Sequence, residues 1–413
     1  MASGPLLIFD KSALQALSVD EAVWLDNFFK TNITPLFYIE TLADLEKEIG
    51  GGRTPEQIVG DIATKAPDLQ ANPNAYHLRL LETELHGLES IPMDGRAVLS
   101  RGKPVTSRGK TGVVFTESPE QEAFHRWQLH DFLGIERHIA KVWRAALRVS
   151  DYDQRYQFFR QRFLGGRSLK DFQEVKARTD EHIHQADQEN IFRFGMKLFS
   201  IVPGAQERFV RRWQAAGKPP ITQFVPYFSY LYSVELFFYL GLASDLISRQ
   251  RPTNKVDFAY LYYLPFCKVF TSGDKLHERS APLFMRSNQM FVRGAELKAD
   301  LARLDVHYSA LPDEVKNSGL YRFASSPPED TSFLVTRLWD RYVPNWRQWK
   351  EDSKRVTPEI QEALRKLVCT IAAESRPAGP GDKFAMDESD YVQMESTAVR
   401  KKGKWVRFGP DVK

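Results

Sequence analysis

The sequence predicts an α/β fold built on a parallel sheet, and three observations carry that expectation. Residues 6–9 form a four-residue apolar run that stops abruptly at Asp10, as a strand buried on both faces would. Two later short runs, 267–271 and 290–292, have the same character and are bounded by turn residues. Helix-spaced segments separate the runs, and strands that alternate with helices imply parallel pairing.

After the first strand, Ser18 and Glu21 have the spacing of a capping box, and Ala22, Val23, Leu25, Phe28 and Phe29 recur at helical intervals. Thr34 and Pro35 supply an N-cap and a first-turn proline for a second helix through Glu48, which the glycines at 50–52 end. The first fifty residues therefore read strand, helix, helix. Residues 53–218 are polar and mostly helical, with a candidate hairpin over 97–115. The stretch 221–243 is long enough to span a bilayer, but it carries Gln223, Pro226, Ser229, Ser233 and Glu235 and reads as a buried core helix. Another helix begins near Asp257 and breaks at Pro265. The strand 267–271 and the turn Ser272-Gly273-Asp274 follow it, then the strand 290–292 and a helix over 295–304. Beyond 310 come a proline-rich turn at 325–328, a helix capped by Thr357 and Pro358 with Ile360, Leu364, Leu367, Val368 and Ile371 on one face, and a Pro/Gly linker at 377–381. The tail with Arg400, Lys401, Lys402, Lys404 and Arg407 is expected to be flexible.

Composition bounds the function classes. With 413 residues, 42% hydrophobic and 27% charged, the chain has the ordinary globular mix and room for two or three domains, which excludes disordered and fibrous classes. A net charge of +4 permits a nucleic-acid partner through a local patch without demanding one. Cys267 and Cys369 form neither a zinc spacing nor a disulfide framework, and the amino terminus lacks the basic flank of a signal peptide, so a cytoplasmic location is expected.

The residues that suggest chemistry are acidic. Asp10 ends the first strand, Asp274 follows the second, and Asp257 begins the helix that feeds that second strand. In open α/β sheets ligands bind at the carboxyl ends of strands. Glu40 lies on the helix after Thr34, with Asp44 one turn later as a weaker fifth candidate. At about 4 Å and an effective dielectric of about 20, two carboxylates repel by roughly 4 kcal/mol, so such a cluster needs protonation or a cation, and a hard divalent ion is the economical answer. Taken singly, Asp257 also suits a helix N-terminus, Asp274 a turn, and Glu40 with Asp44 a solvated helix face. An acid directly after four buried-strand residues, as at Asp10, is poorly explained as ordinary surface.

Residues 6–14 resemble the opening strand and first acid of PIN-like nuclease domains, and residues 35–45, with Glu40, resemble that family's second acidic helix. The run from Asp257 to Asp274 is similar to the family's third acid, helix, strand, hydroxyl and fourth acid in one stretch. The resemblance covers about a third of the chain and implies a three-layer domain with a parallel sheet and a metal-dependent ribonuclease site. Asp10, Glu40, Asp257 and Asp274 would be catalytic, with Asp10, Asp257 and Asp274 holding Mg²⁺ or Mn²⁺ and Glu40 positioning a water or completing the shell. Ser12 and Ser272 match the family's hydroxyl positions and would orient the neighbouring acids. Two features depart from the pattern: Lys11 stands where a small or hydroxyl residue is usual, and the second and third acids are separated by a long insertion.

The expected organisation is a PIN-like domain in two parts, 1–49 and 225–310, split by a helical insertion over 50–224 and followed by a helical extension over 311–376 and a linker with basic tail over 377–413. RNA is the expected partner, a protein partner is open to the insertion, and no membrane is expected. The rival reading is a nucleic-acid- or protein-binding module whose pocket no longer turns over; a phosphatase using the same acids is weaker still. Three other signals are set aside. Arg108 to Thr111 lacks the upstream glycine of a phosphate-binding loop, His182 and His184 at i, i+2 face apart and suit a solvated surface, and Tyr260, Tyr262 and Tyr263 suit a core better than base stacking.

Overall fold

The computed structural model describes residues 4–49, 51–68, 71–98, 103–107, 110–114, 119–148, 152–353, 363, 366–367, 370, 373–377 and 400–408. Its centre is a five-stranded, all-parallel sheet. Strand β1 (Leu6–Phe9) lies in the middle. Leu7, Ile8 and Phe9 are all at most 2% exposed; because successive strand residues point to opposite faces, both faces of the sheet are covered. Helices α1 (Lys11–Ala16) and α2 (Val19–Phe28) follow, and Ser18 and Glu21 close the expected capping box.

Strand β2 (Lys30–Ile33) pairs with β1 and was not expected, because Lys-Thr-Asn-Ile is no apolar run. Inside the fold Asn32 donates its amide to the Phe266 carbonyl at 3.1 Å, while its Oδ1 is buried without a hydrogen-bond partner. Helix α3 (Pro35–Leu42) begins as expected, with Thr34 capping the Phe37 N–H, but ends earlier and passes into a short 3₁₀ turn, Ala43–Glu46. Helix α4 (Pro55–Lys65) leads to β3 (Ala71–Pro73), which joins the sheet beyond β2. The sheet therefore draws an edge strand from within the stretch read as a helical insertion.

The rest of that stretch is helical: α5 (His77–His86), a hairpin β4–β5 (Lys103–Ser107, Lys110–Val114), α6 (Pro119–Gln128), α7 (Gly134–Arg148), α8 (Tyr152–Leu164), α9 (Phe172–Ile183), α10 (Gln188–Leu198), α11 (Pro203–Ala215) and α12 (Ile221–Phe224). Helix α13 (Pro226–Ala243) is buried nearly all round. Its N-terminal N–H groups at Tyr227 and Phe228 donate to the Glu84 carboxylate at 3.0 and 2.7 Å, and its internal Glu235 is paired with Lys255. Among the described residues no helix is long and apolar enough to cross a membrane.

Helix α14 (Asn254–Ala259) and a 3₁₀ stretch (Tyr260–Phe266) containing Pro265 lead into β6 (Val269–Ser272), which pairs with β1 on the side opposite β2. Next come α15 (Lys275–Ser280), β7 (Met290–Arg293) and α16 (Gly294–Ser309). The sheet order is thus β3-β2-β1-β6-β7, with the chain reversing direction around β1. Helices α17 (Asp313–Asn317), α18 (Leu320–Phe323), α19 (Leu334–Tyr342) and α20 (Trp346–Ser353) complete the helical extension that is described; the cap expected at Thr357 and Pro358 lies outside the described residues. Strand β8 (Arg376–Pro377) pairs with β4.

The tail corrects an expectation. Strands β9 (Lys401–Lys402) and β10 (Trp405–Val406) form a hairpin that docks on α2. Trp405 stacks edge-on against Trp24, and both indoles donate to Asp305. Arg407 is fully buried and pairs with Asp26 at 3.0 Å and Asp68 at 2.5 Å. A basic run reads as solvated tail only while its buried acidic partners are unknown. His182 is a second correction: it is half-buried and bonded to the Tyr232 hydroxyl at 2.8 Å, whereas His184 is exposed.

Candidate functional site

The carboxyl edge of the sheet collects acids from both halves of the chain. Asp10 is buried directly after β1 and caps α1, accepting the Ala13 N–H at 2.8 Å. Ser12 Oγ donates to the same carboxylate at 2.8–2.9 Å, and Ser272 Oγ, at the end of β6, donates at 2.6 Å. These hydroxyls in turn accept the N–H groups of Gly273 at 3.0 Å and Asp274 at 2.9 Å, which ties the β6–α15 loop to Asp10. Gly294 opens α16 hard against that loop. A Cβ there would meet Gly273 N and Ser272 C at 3.1 Å, so the close packing depends on glycine.

His277, on α15, is fully buried beneath this arrangement. Its Nε2 donates to the Asp257 carbonyl at 2.5 Å, while Nδ1 lies 2.8 Å from Ser272 Oγ and 3.4 Å from Asp10 Oδ2. With the Ser272 hydroxyl proton directed to Asp10, a protonated Nδ1 completes the contact with Ser272 Oγ, and the upward direction of the ring's pKa shift favours the imidazolium. Burial alone would favour the neutral ring, but the hydrogen bond and charge of Asp10, then the carbonyl bond and charge of Asp257, raise its pKa. Burial likewise opposes ionisation of Asp10, yet His277, Ser272 and the Ala13 N–H together hold its carboxyl below the ordinary value.

Glu40, half-buried on α3, accepts the Tyr260 hydroxyl at 2.8 Å. Lys11 stands 3.5 Å from Glu40 and 3.0 Å from Asp44, whose other oxygen takes Arg144 of α7 at 3.2 Å. Burial pushes Glu40 up by more than Lys11 and Tyr260 pull it down. With Lys47 also 3.8 Å away, Asp44 is occupied by three cations. Asp274 caps α15 by accepting the Leu276 N–H at 2.6 Å.

Asp257 differs from the rest. It is half-buried on α14, and among the described residues nothing donates a hydrogen bond to its carboxylate. Burial, then the charge of Glu40, and more weakly Asp274 and Asp10, push it up to about 7, against the opposing charge of His277. The fold thus brings Asp257 within electrostatic reach of Glu40, Asp274 and Asp10, and Glu40 within reach of Asp10. Among the described residues no three His, Cys, Asp or Glu side chains are gathered tightly enough to hold an ion by protein ligands alone. The fit to a cation is therefore one of donor type: Mg²⁺ keeps several waters and takes one or two carboxylates, and Asp257, whose carboxylate has no hydrogen-bond donor among the described residues, is such an oxygen donor.

Two members of the cluster were not singled out from sequence for what they do. His277 follows Asp274 by three residues, one helical turn, and that spacing was the available signal. Tyr260, buried as expected of a core residue, also turns its hydroxyl into the site. No family of known proteins, no curated protein and no solved structure matches this chain.

Proposed function

We propose that this chain is a metal-dependent ribonuclease that hydrolyses RNA phosphodiester bonds at the carboxyl edge of its sheet. The observation that carries the reading is Asp257, a carboxylate without a described hydrogen bond, pushed up to about 7 beside three other acids. Asp10, Asp257 and Asp274 would hold Mg²⁺ or Mn²⁺. Such an ion, when bound, neutralises charge on phosphate oxygens and lowers the pKa of its water. The choice of RNA rests on the resemblance of residues 6–14, 35–45 and 257–274 to PIN-like nucleases.

The protein's own groups have separable tasks. Asp10 is kept ionised and fixed in orientation by Ser12, Ser272 and His277. Glu40, with its pKa raised, suits a group that accepts a proton from water, and Tyr260 fixes its rotamer. Lys11 offsets part of the negative charge that would otherwise repel a polyanionic substrate.

Cleavage of a labelled single-stranded RNA by wild type and Asp274→Asn, with Mn²⁺ or with chelator, tests the reading. Wild type is expected to cut only with metal, and the variant to lose cutting while staying equally or more stable. Metal binding with no cleavage of any RNA would favour the non-catalytic binding module instead.

A further inference from the structure

We propose that a second pocket at the carboxyl edge of the sheet seats the amino-bearing edge of an adenine or cytosine base of the RNA, an inference that rests on the nuclease reading and extends it to base preference. The pocket lies at the ends of β2 and β3, beside the first turn of α6, and Ile33, Pro35, Pro73, Asn74, Glu120 and Phe124 line it. Asn74 directly follows β3 and is 2% exposed. Its backbone N–H donates to the Ile33 carbonyl at 2.9 Å, yet neither Oδ1 nor Nδ2 of its side chain has a hydrogen-bond partner among the described residues. Glu120, partly exposed at the start of α6, has its Oε2 buried and likewise without a partner. Buried polar atoms are almost always bonded, so two such side chains lining one pocket point to a ligand that completes them.

The bare atoms define what enters. Asn74 Nδ2 needs an acceptor, while Asn74 Oδ1 and Glu120 Oε2 each need a donor. An amino group carries two protons, one for each oxygen, and an unprotonated ring nitrogen beside it accepts from Nδ2. Adenine and cytosine present that pair, and an asparagine amide reads adenine through the same kind of double bond. Uracil sets a carbonyl where the amino group would be, against the Glu120 oxygen. A metal ion or an ammonium group would leave Nδ2 facing positive charge, and an inorganic anion would face Glu120. The closed end of the pocket holds only about 10 Å³, room for one water-sized group, so the amino group enters and the ring stays at the mouth between the partly exposed Pro35 and Pro73. Helix α3 joins this pocket to the acids. Its first residue, Pro35, lines the pocket, and Glu40, five residues and about 7.5 Å further along the axis, feels the charge of Asp10 and acts on Asp257. A base held at Asn74 thus belongs to a nucleotide near the one whose phosphate meets the acids.

The test titrates the full-length protein into labelled oligocytidine, oligoadenosine and oligouridine of equal length, in Mn²⁺ and again in chelator, with the length of each probe checked afterwards. Wherever the probe stays whole, fluorescence anisotropy is expected to show the cytidine and adenosine probes binding about tenfold more tightly than the uridine probe. Asn74→Leu should bring all three to the uridine level and melt no lower than wild type, because it removes bare polar atoms and keeps the backbone bond to Ile33. Glu120→Gln should weaken cytidine binding and strengthen uridine binding, since the new amide donates to the uracil carbonyl; a folding defect would weaken both. A base preference with no cutting in Mn²⁺ supports the pocket and overturns the nuclease reading alone. Equal affinity for the three probes, no binding in either condition up to about 1 mM, or a preference that both variants leave intact overturns the proposal and makes the pocket a seat for ordered water.

Discussion

His277 and Asp10 form a buried ion pair, with ring Nδ1 3.4 Å from carboxylate Oδ2 and Ser272 wedged between them. Removing one member of a buried pair costs about 3–5 kcal/mol, so His277→Asn should destabilise the protein by roughly that amount at mildly acidic pH. The pH dependence follows from the two directions of shift. The raised His277 contributes stability that is complete below its ordinary value of 6.5 and is lost as pH rises through its folded value. The lowered Asp10 contributes stability present above 3.8 and lost as pH falls through its folded value. Urea unfolding at a series of pH values should therefore show the largest gap between wild type and variant between these limits, narrowing on the alkaline side.

Asp257→Asn should act in the opposite sense. An acid whose folded value is raised to about 7 penalises the fold progressively from 3.8 upward, with the full penalty above about 7. In the absence of metal the variant should gain up to about 4 kcal/mol at alkaline pH and almost nothing near pH 4. Thermal melts at both pH values, in chelator, read this directly.

Lys11→Met separates the two roles open to that ammonium. Glu40 and Asp44 would lose a buried partner, so the metal-free protein should be destabilised by about 3 kcal/mol. The site would also become more negative, so Mn²⁺ should raise the melting temperature of the variant by more than that of wild type. A smaller Mn²⁺ response would mean that Lys11 organises the site rather than neutralising it.

Arg407→Met tests the docked tail. Burial and the Asp68 charge push Asp26 up to about 7, while Asp68, despite burial, is held down at about 2 by Lys402, Asp26 and Arg407. Without the guanidinium, two acids face each other inside the protein, and the cost should be about 3–5 kcal/mol. Protonating Asp26 relieves the repulsion, so the loss should be greater at pH 8 than at pH 5 in denaturant titrations.

Much of the scaffold was legible because it rests on local signals. Leu6 to Phe9, the Ser18–Glu21 box and the Thr34-Pro35 start each declare themselves within a few residues. Strands β2 and β3 did not, since Thr31 and Asn32 are polar residues buried only by the tertiary fold, Asn32 bonding the distant Phe266 carbonyl, and Pro73 ends a strand of three residues. Asp10 and Asp274 could be named because each directly follows a strand or its turn, whereas Glu40 and Asp257 lie within α3 and α14, Asp257 three residues past the helix start rather than at it. The proton arrangement of His277, Ser272 and Asp10 could not, because it exists only once β1 and β6 are adjacent. The burial of Arg407 was hidden for the same reason: its partners Asp26 and Asp68 lie at the other end of the chain.

The central claim is that the four acids share a site completed by a divalent cation. Calorimetric titration of Mn²⁺ into the metal-free protein at pH 7, repeated in buffers of different ionisation enthalpy, measures binding and proton release together. Because Asp257 titrates at about 7, binding should release a substantial fraction of a proton, and Asp257→Asn should abolish that release. No binding heat in any buffer, or binding that Asp10→Asn and Asp257→Asn leave unchanged, would contradict the account.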